Sequence, residues 1–237
     1  VIIRIDGKAF HTFAKRITKN DPTYGTTPFS EVMHDCMTIT THHLVKSIQG
    51  CVLGYTQSDE ISLLIRDWDE LTTQQWFGNN VQKLTSVSAS LATQAFNFYL
   101  TQRTGIMDSP AISDFATFDS RAFNIPNAEV ANYFIWRQQD AIRNSMQMLG
   151  HHAFSQKQMH GKPNTEVRSM LDATGFDFNL VPMWAQRGSC IENAKHGIPI
   201  AINNHIPVFT EQREYIDKFM QTPSSIAEQL QRDHQST

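Results

Sequence analysis

Two carboxylates that stand where apolar, β-prone runs end constrain this chain more than any other feature. The run VIIRI at residues 1–5 stops at Asp6, and the run CVLGY at residues 51–55 leads toward Asp59, after which ISLLI follows at residues 61–65. Short runs rich in Ile, Val and Leu, bounded by turn residues, predict buried strands. The sequence therefore predicts a sheet with one acid at a strand end and another in the hairpin between the next two strands.

If these strands are neighbours in one sheet, Asp6 and Asp59 lie close together. Two such carboxylates repel, so one takes a proton or both share a cation. Two divalent ions about 4 Å apart are usual in nucleotidyl transfer, and Mg²⁺ suits oxygen ligands that substrate phosphates complete. Gly7 would let the backbone approach a metal or a triphosphate. An alternative to a metal site is also open. In that case Asp6-Gly7 forms an ordinary turn at the end of a strand, and Asp59-Glu60 forms a solvated hairpin tip.

Composition narrows the class of protein. The chain of 237 residues, with 40% hydrophobic and 18% charged residues, is typical of a globular protein with a substantial core. No apolar run reaches the roughly 20 residues that span a bilayer, and the first residues do not resemble a signal peptide, so we expect no membrane association and an intracellular, cytoplasmic location. With a net charge of −3, contact with nucleic acid would depend on a local basic patch.

The first part of the chain predicts a β-α-β-β unit. A helix is expected to begin at Pro28 and to end at Gly50, between the first strand and the hairpin that contains Asp59. Residues 8–27 are expected to form a loop. Its basic residues could face triphosphate oxygens or form a solvated surface; they are Lys15, Arg16 and Lys19.

A long helix is predicted after Gly78, ending near Arg103, because apolar residues recur every three or four positions. Lys83, near its start, could face phosphate together with the positive helix end, or could be a surface lysine. The following strand places Asp119 and Arg121 on one face, where they could pair with each other.

Beyond this strand the sequence predicts a long helix and, after Gly150, gives weaker signals for a loop and a short helix. A helix from Pro126 contains Arg137, Arg143 and Asn144, which could contact RNA or a nucleotide or could form a solvated face. Residues 183–188 are expected to form a strand or turn. With neither an internal repeat nor a linker, we expect one domain over residues 1–237, with a core over about 1–125 and a helical and C-terminal extension over about 126–237.

Five motifs in order resemble one known family. They are IRIDGKAFHTF at residues 3–13, GYTQSDEIS at 54–62, FDSR at 118–121, WRQQD at 136–140 and RNS at 143–145. Together they resemble the tRNA-His guanylyltransferase superfamily over roughly residues 1–190. This resemblance implies an α+β fold in which an antiparallel sheet with flanking helices is similar to the palm of polymerases and nucleotide cyclases.

The resemblance also implies an activity and its partners. Members of the superfamily add nucleotides to the 5′ end of a tRNA, so that growth runs 3′ to 5′. ATP activates the 5′ phosphate, and the 3′-hydroxyl of an incoming nucleotide then attacks it. The expected partners are therefore tRNA, ATP and GTP or another NTP, and a homotetramer is expected from the family.

The resemblance assigns site residues as well. It gives Asp6, Asp59 and Glu60 catalytic roles, with Asp6, the Gly7 backbone and Asp59 holding two Mg²⁺ ions. The expected nucleotide-binding residues are Gly7, Lys8, Ala9, Phe10, His11, Ser58, Asp59 and Lys83. Contacts with RNA or nucleotide are expected from Arg137, Arg143 and Asn144.

Two departures from the eukaryotic pattern refine the expectation. The chain reads Ile142-Arg143-Asn144-Ser145 where the eukaryotic enzymes carry His-Ile-Asn-Asn, and Gly78-Asn79-Asn80 replaces a basic cluster. These changes resemble the bacterial, archaeal and phage guanylyltransferase-like branch, which uses a template and repairs truncated tRNA 5′ ends. We therefore expect template-dependent 5′ addition. The alternatives are a palm-type nucleotide cyclase and a non-catalytic tRNA-binding module.

Overall fold

A central antiparallel sheet organises the computed structural model, which describes residues 1–17, 27–69, 72–104, 115–194 and 198–221. The strands are β1 (Ile2–Gly7), β2 (Cys51–Gln57), β3 (Glu60–Ile65), β4 (Phe118–Phe123), β5 (Ser189–Glu192) and β6 (Ala201–Asn203). They form one six-stranded sheet in the order β4-β1-β3-β2-β5-β6. Each neighbouring pair is antiparallel.

Helices cover both faces of this sheet. They are α1 (Phe10–Ile17), α2 (Glu31–Ser47), α3 (Val81–Thr104), α4 (Val130–Ala153), α5 (Gln156–Met159), α6 (Asn164–Ala173), α7 (Met183–Arg187) and α8 (Glu214–Asp217). None of the helices in the described ranges is long and apolar enough to cross a membrane.

Strand alternation divides the core into two layers, because successive side chains of a strand point to opposite faces. On one face, Ile3 and Ile5 join a buried cluster with residues of α2 and α3, including Phe96. On the other face, Ile2 and Leu64 pack in a second cluster that includes the first turns of α4. A third cluster joins the second half of α4 to α5, α6 and α7.

The described chain closes back on the sheet near its end. Arg66, directly after β3, is buried and donates hydrogen bonds from Nη1 to the carbonyl oxygens of Phe219, at 2.8 Å, and Gln221, at 2.5 Å. Phe209 and Phe219 lie in the same cluster as the start of α4. The segment after β6 therefore completes the layer that contains α4.

The predicted α+β architecture is confirmed. The predicted β-α-β-β order is wrong in one respect, because helices α1 and α2 both lie between β1 and β2, and several boundaries are corrected. The predicted loop at 8–27 contains helix α1, because Phe10 and Phe13 turn inward to an aromatic cluster; Lys19 lies outside the described residues. The first long helix begins at Glu31 rather than Pro28, since Ser30 Oγ accepts a hydrogen bond as N-cap.

The C-terminal part differs most from the prediction. Residues 183–188, expected as a strand or turn, form the short helix α7, and β5 begins directly after them. Strands β5 and β6 extend the sheet even though they lie in the region that was predicted to be a peripheral extension. The division at residue 126 stays a prediction.

Candidate active site

The register of β1 places three carboxylates in one row across the sheet. Asp6 lies opposite Glu60 of β3 on one side and opposite Asp119 of β4 on the other. Residues directly opposite in a sheet point to the same face, which here is the face covered by α4. The next row on this face consists of Arg4, Ser62 and Arg121.

The β2–β3 hairpin brings Asp59 to the end of β1. The Gly7 N–H donates to the carbonyl oxygen of Asp59 at 3.0 Å. Burial raises the pKa of the Asp59 carboxyl above its ordinary value, and the charges of Asp6 and Glu60 raise it further. An ionised Asp59 is therefore costly without a compensating cation, which is the situation that the sequence predicted for this pair.

The loop after β1 has the close backbone approach that Gly7 suggested. A Cβ added at Gly7 would lie 2.2 Å from Phe10 Cδ2, so this position admits no side chain without movement of the ring. Ala9 and Ser58 both have positive φ, at 56° and 53°. Such strained residues occur at ligand clamps, and here they flank Asp6 and Asp59.

The predicted nucleotide-binding residues of this loop divide into two kinds. Lys8, Ala9 and His11 are exposed. Phe10 is buried, and its ring packs against Phe96 and other aromatic rings. The Phe10 side chain is thus not available to a nucleotide, while Lys8 and His11 can offer side chains.

The donor set at the strand ends fits Mg²⁺. Asp6 and Asp59 provide carboxylate oxygens, and the Gly7 carbonyl provides a further hard oxygen. In the described part of the chain, no three His, Cys, Asp or Glu side chains form a site made by protein alone. Mg²⁺ is commonly held by one or two carboxylates, waters and substrate phosphates, and Asp6 and Asp59 could provide those carboxylates.

Glu60 is held between two arginines. Arg137 donates from Nε to Oε1 and from Nη2 to Oε2, both at 2.7 Å, and Arg4 Nη2 donates to Oε2 at 2.5 Å. Both carboxylate oxygens are therefore engaged. In this arrangement Glu60 anchors Arg4 beside Asp6, and the predicted catalytic role of Glu60 stays a prediction.

Arg4 is a site residue that the sequence analysis did not identify. Its Nη2 also lies 3.4 Å from Asp6 Oδ2. Burial works against the charged guanidinium, but the interactions with Glu60 and Asp6 outweigh it and raise the Arg4 pKa. The available signal was a charge inside an apolar strand, two positions before Asp6 and hence on the same face.

The three residues predicted to contact RNA are placed differently from one another. The side chain of Arg137 is only 6% exposed and also lies 3.2 Å from Asp140. Arg143, which donates to Asp140 at 2.8 Å, and Asn144 are exposed one to two turns further along α4. Arg143 and Asn144 are thus accessible to RNA, whereas Arg137 is engaged inside the protein.

Lys83 is not brought to this site within one chain. Phe118, the first residue of β4, lies at the carboxylate end of the sheet, where its N–H donates to Thr93 Oγ1 of α3. Further along β4, Ser120 contacts Ser88 at 2.7 Å. Because α3 runs antiparallel to β4, Lys83 lies still further away, toward the opposite end of the sheet.

Sequence comparison matches residues 1–126 to the family described as tRNAHis guanylyltransferase. The tRNA(His) guanylyltransferase of Schizosaccharomyces pombe is 31% identical over 147 residues, which cover 62% of this chain and 51% of that protein. The probable tRNA(His) guanylyltransferase of Mus musculus is 29% identical over 147 residues, which cover 62% of this chain and 45% of that protein. The chain thus spans about half the length of these relatives.

Two solved structures are similar over most of the chain. A bacterial tRNA(HIS) guanylyltransferase (Thg1)-like protein in complex with ATP has a TM-score of 0.80 and 39% identity, covering 92% of this chain and 88% of its own. The corresponding structure with GTP has a TM-score of 0.70 and 38% identity, covering 92% and 87%. These similarities confirm the predicted palm-like fold. Together with the match over the first 126 residues, they show that the chain belongs to the tRNA(His) guanylyltransferase family.

Proposed function

We propose that the protein is a Mg²⁺-dependent nucleotidyltransferase that adds nucleotides to the 5′ end of tRNA in the 3′ to 5′ direction, directed by a template base. The observation that carries the proposal is the placement of Asp6 and Asp59 at adjoining strand ends, beside a strained backbone loop, in a chain of this family. The ATP and GTP complexes of the related bacterial protein support nucleoside triphosphates as substrates.

The proposed reaction has two steps. The 5′ phosphate of the RNA first attacks the α-phosphorus of ATP, which releases pyrophosphate and leaves an adenylylated 5′ end. The 3′-hydroxyl of the incoming nucleotide then attacks the activated 5′ phosphorus, loses its proton and releases AMP. Each step exchanges one phosphate ester or anhydride bond for another, so no side chain needs to act as nucleophile.

The residues of the site divide this work. Asp6, Asp59 and the Gly7 carbonyl would hold the Mg²⁺ ions, which when bound neutralise phosphate oxygens and acidify the attacking hydroxyl. The backbone from Gly7 to His11 and Ser58 would orient the triphosphate. Arg4, fixed by Glu60, would keep a positive charge beside the reacting phosphates.

The proposal extends to template use and assembly. The Arg143-Asn144 sequence, in place of the eukaryotic motif, supports template-directed repair of truncated 5′ ends rather than addition of G alone. A homotetramer would extend the RNA-binding surface of a chain whose net charge is −3. A tRNA substrate further implies a cytoplasmic location.

The test is incorporation of each labelled NTP, with Mg²⁺, onto tRNAs that lack their first 5′ nucleotide and differ in the opposing base. We expect the added nucleotide to follow that base. Asp6→Ala and Asp59→Ala should abolish addition. The matched control is Asp35→Ala, because Asp35 lies on α2 in an exposed ion pair with Arg103.

Other outcomes would replace parts of the proposal. Addition of GTP alone to tRNA-His, whatever base lies opposite, would contradict template use. Retained addition in both aspartate variants would contradict the metal assignment. A cyclic nucleotide product in the absence of RNA would identify a cyclase, and tRNA binding in EDTA without turnover under any condition would identify a binding module.

A further inference from the structure

Trp136 exposes a large aromatic surface beside the candidate active site. The residue is 51% exposed, although its neighbours on α4, Phe134 and Arg137, are buried. A half-exposed tryptophan leaves much of an indole ring in contact with water, which is costly unless a partner covers it. The roles assigned above to the residues around it do not account for this ring.

The indole is held in place from inside the protein. The Arg137 guanidinium lies over the ring, with Cζ 4.5 Å from the centroid, and is itself fixed by its two hydrogen bonds to Glu60. Tyr133 meets the indole edge-on at 6.3 Å, and its hydroxyl shares a 2.8 Å hydrogen bond with Ser62. The orientation of the exposed surface is thus set before any ligand arrives, which lowers the entropic cost of binding.

The same contacts locate the ring on the carboxylate face. Ser62 lies in the row of Arg4, and Glu60 lies opposite Asp6. Trp136 contacts Arg137, which binds Glu60, and Tyr133, which binds Ser62. The indole therefore lies above the end of the sheet that carries Asp6. Tyr133, one turn earlier on α4, also packs against Phe123 of β4, which places this side of α4 toward the β1–β4 edge.

Charged side chains share this end of the sheet face with the ring. Arg121 on β4 is exposed, with 63% of its side chain accessible, and lies 3.7 Å from the exposed Asp119. An apolar peptide or a lipid would need a contiguous apolar patch, and these side chains do not form one. An aromatic surface backed by Arg137, with the exposed Arg121 in the Arg4 row of the same sheet face, is instead a combination that stacks a base and attracts the adjoining phosphates.

We propose that Trp136 is a stacking platform for a nucleobase at the end of the RNA, next to the phosphate that Asp6 and Asp59 process. The proposal rests on the proposed function and specifies how the substrate is held there. The base lies against the free side of the indole while Arg137 supports the ring from within. Trp136 therefore governs RNA affinity and leaves the affinity for the incoming nucleotide unchanged.

The experiment compares Trp136→Ala and Trp136→Phe with the wild type and with Phe98→Ala. Phe98 is a suitable control because it is 57% exposed on α3 and lies outside the α4 layer. Binding of a 5′-phosphorylated tRNA that lacks its first nucleotide is titrated, and KM is measured separately for this RNA and for the NTP. Quenching of tryptophan fluorescence on RNA binding provides a readout that is independent of turnover.

We expect Trp136→Ala to weaken RNA binding and raise the KM for RNA about 5- to 100-fold, which corresponds to the loss of one stacked base. The KM for NTP stays unchanged. Trp136→Phe retains most of the affinity but loses the fluorescence quenching, and Phe98→Ala behaves as the wild type.

Four results would overturn the assignment. Unchanged RNA affinity in Trp136→Ala, with addition intact, refutes the platform but not the proposed function. A raised KM for NTP alone places the incoming base, not the RNA, on the ring. Absence of RNA binding and of addition in the wild type refutes both proposals. If Trp136→Ala does not fold, quenching that persists in Trp136→Phe refutes the platform.

Discussion

The two faces of the sheet use alternate residues of the same strands, yet they differ in character. Toward α2 and α3, β1 presents Ile3 and Ile5, and the buried residues of this layer are apolar or carry a hydroxyl group, as Ser88 does. Toward α4, the same strand presents Ile2, then Arg4, then Asp6, so that this layer changes from apolar to charged along the strand. One face thus stabilises the fold along its full length, while the other confines its charges to one end.

This difference between the two faces indicates which substitutions should affect stability and which should affect activity. An apolar contact on the α2 and α3 face is one of many similar contacts. On the α4 face, each charge at the Asp6 end has one or two named partners, as Glu60 has in Arg4 and Arg137. Substitutions on the α2 and α3 face should therefore change stability alone. Substitutions on the α4 face should change stability, activity or both, and a second substitution at the partner residue should show which of the two is affected.

The largest loss of stability is expected on the apolar face from Phe96→Ala. Phe96 is fully buried and packs against Phe10, Phe13 and Phe118. Removing the ring should lower the free energy of unfolding by about 3–5 kcal/mol, as measured by urea denaturation. Nucleotide addition per folded molecule should persist at low temperature. A folded Phe96→Ala variant without activity would contradict the separation of the two faces.

A similar loss is expected on the charged face from Glu60→Ala, but for a different reason. The buried Arg137 would lose its bidentate partner and keep only the 3.2 Å contact with Asp140; breaking such a buried pair typically costs about 3–5 kcal/mol. Replacing both residues, Glu60→Met with Arg137→Met, should restore most of the stability because no unpaired charge remains buried. Addition should stay impaired, since Arg4 loses its anchor.

The control for this pair is the exposed ion pair of Arg103 and Asp35, 3.1 Å apart. Asp35→Ala should change the free energy of unfolding by only about 0–1 kcal/mol. Full activity in the stable double variant would show that Glu60 and Arg137 serve the fold alone.

A titratable ring at the margin of the apolar face should make stability depend on pH. His34 of α2 stacks on Trp184 with centroids 4.1 Å apart. Burial lowers its pKa to about 4, despite the opposing effects of Asp35 and Asn204. The unfolded chain binds a proton at His34 near pH 6.5, whereas the folded chain binds it only near pH 4. The stability that neutral His34 contributes is therefore complete above about pH 6.5 and is lost as the pH falls toward 4.

Between pH 6.5 and 4 the free energy of unfolding should fall by about 3 kcal/mol. Each pH unit between the unfolded and folded pKa values of His34 is worth about 1.4 kcal/mol. His34→Phe keeps a ring for stacking and binds no proton. Urea denaturation from pH 7 to 4.5 should therefore show a smaller decrease for this variant than for the wild type. Parallel pH profiles would show that His34 titrates normally.

Apart from the Asp35→Ala control, the smallest expected effect concerns Gly7, where the two faces meet at the end of β1. In Gly7→Ala the new Cβ would collide with the Phe10 ring, which is confined by its aromatic neighbours. We expect a loss of about 1–3 kcal/mol, with weaker ATP binding measured by calorimetry. Phe10→Leu in the same chain should recover part of the stability; no change in Gly7→Ala would mean that the ring can move freely.

Local signals in the sequence predicted much of this molecule. The strand ends at Asp6 and Asp59 follow from apolar runs that stop at turn residues, and α3 follows from its periodic apolar residues. Helix α1 was missed because the turn residues that follow it, Asn20-Asp21-Pro22 and Gly25, favoured a loop over the whole segment, although Phe10, Phe13 and Ile17 recur at helical spacing. Strand β5 has four residues, too few for any period to be visible.

The charged pairs of the site were harder to predict. Arg137 was expected on an exposed face of α4 because arginine is costly to bury. It is buried because Glu60, far away in sequence, neutralises it and satisfies two of its donors. A pairing of this kind depends on strand register and helix placement together, and neither is encoded near Arg137.

The strand order also has a consequence for how the chain is made. On a ribosome, β1 to β4 and helices α2 and α3 emerge first and can pair at once. The outer edge of β2 stays unpaired until β5 has been made. The delay is long: the Tyr55 hydroxyl of β2 donates to the carbonyl oxygen of Arg187, just before β5, and 132 residues separate the two. Until then an unpaired strand edge is open to other nascent chains. Synthesis that stalls between residues 123 and 189 should therefore favour aggregation over partial function.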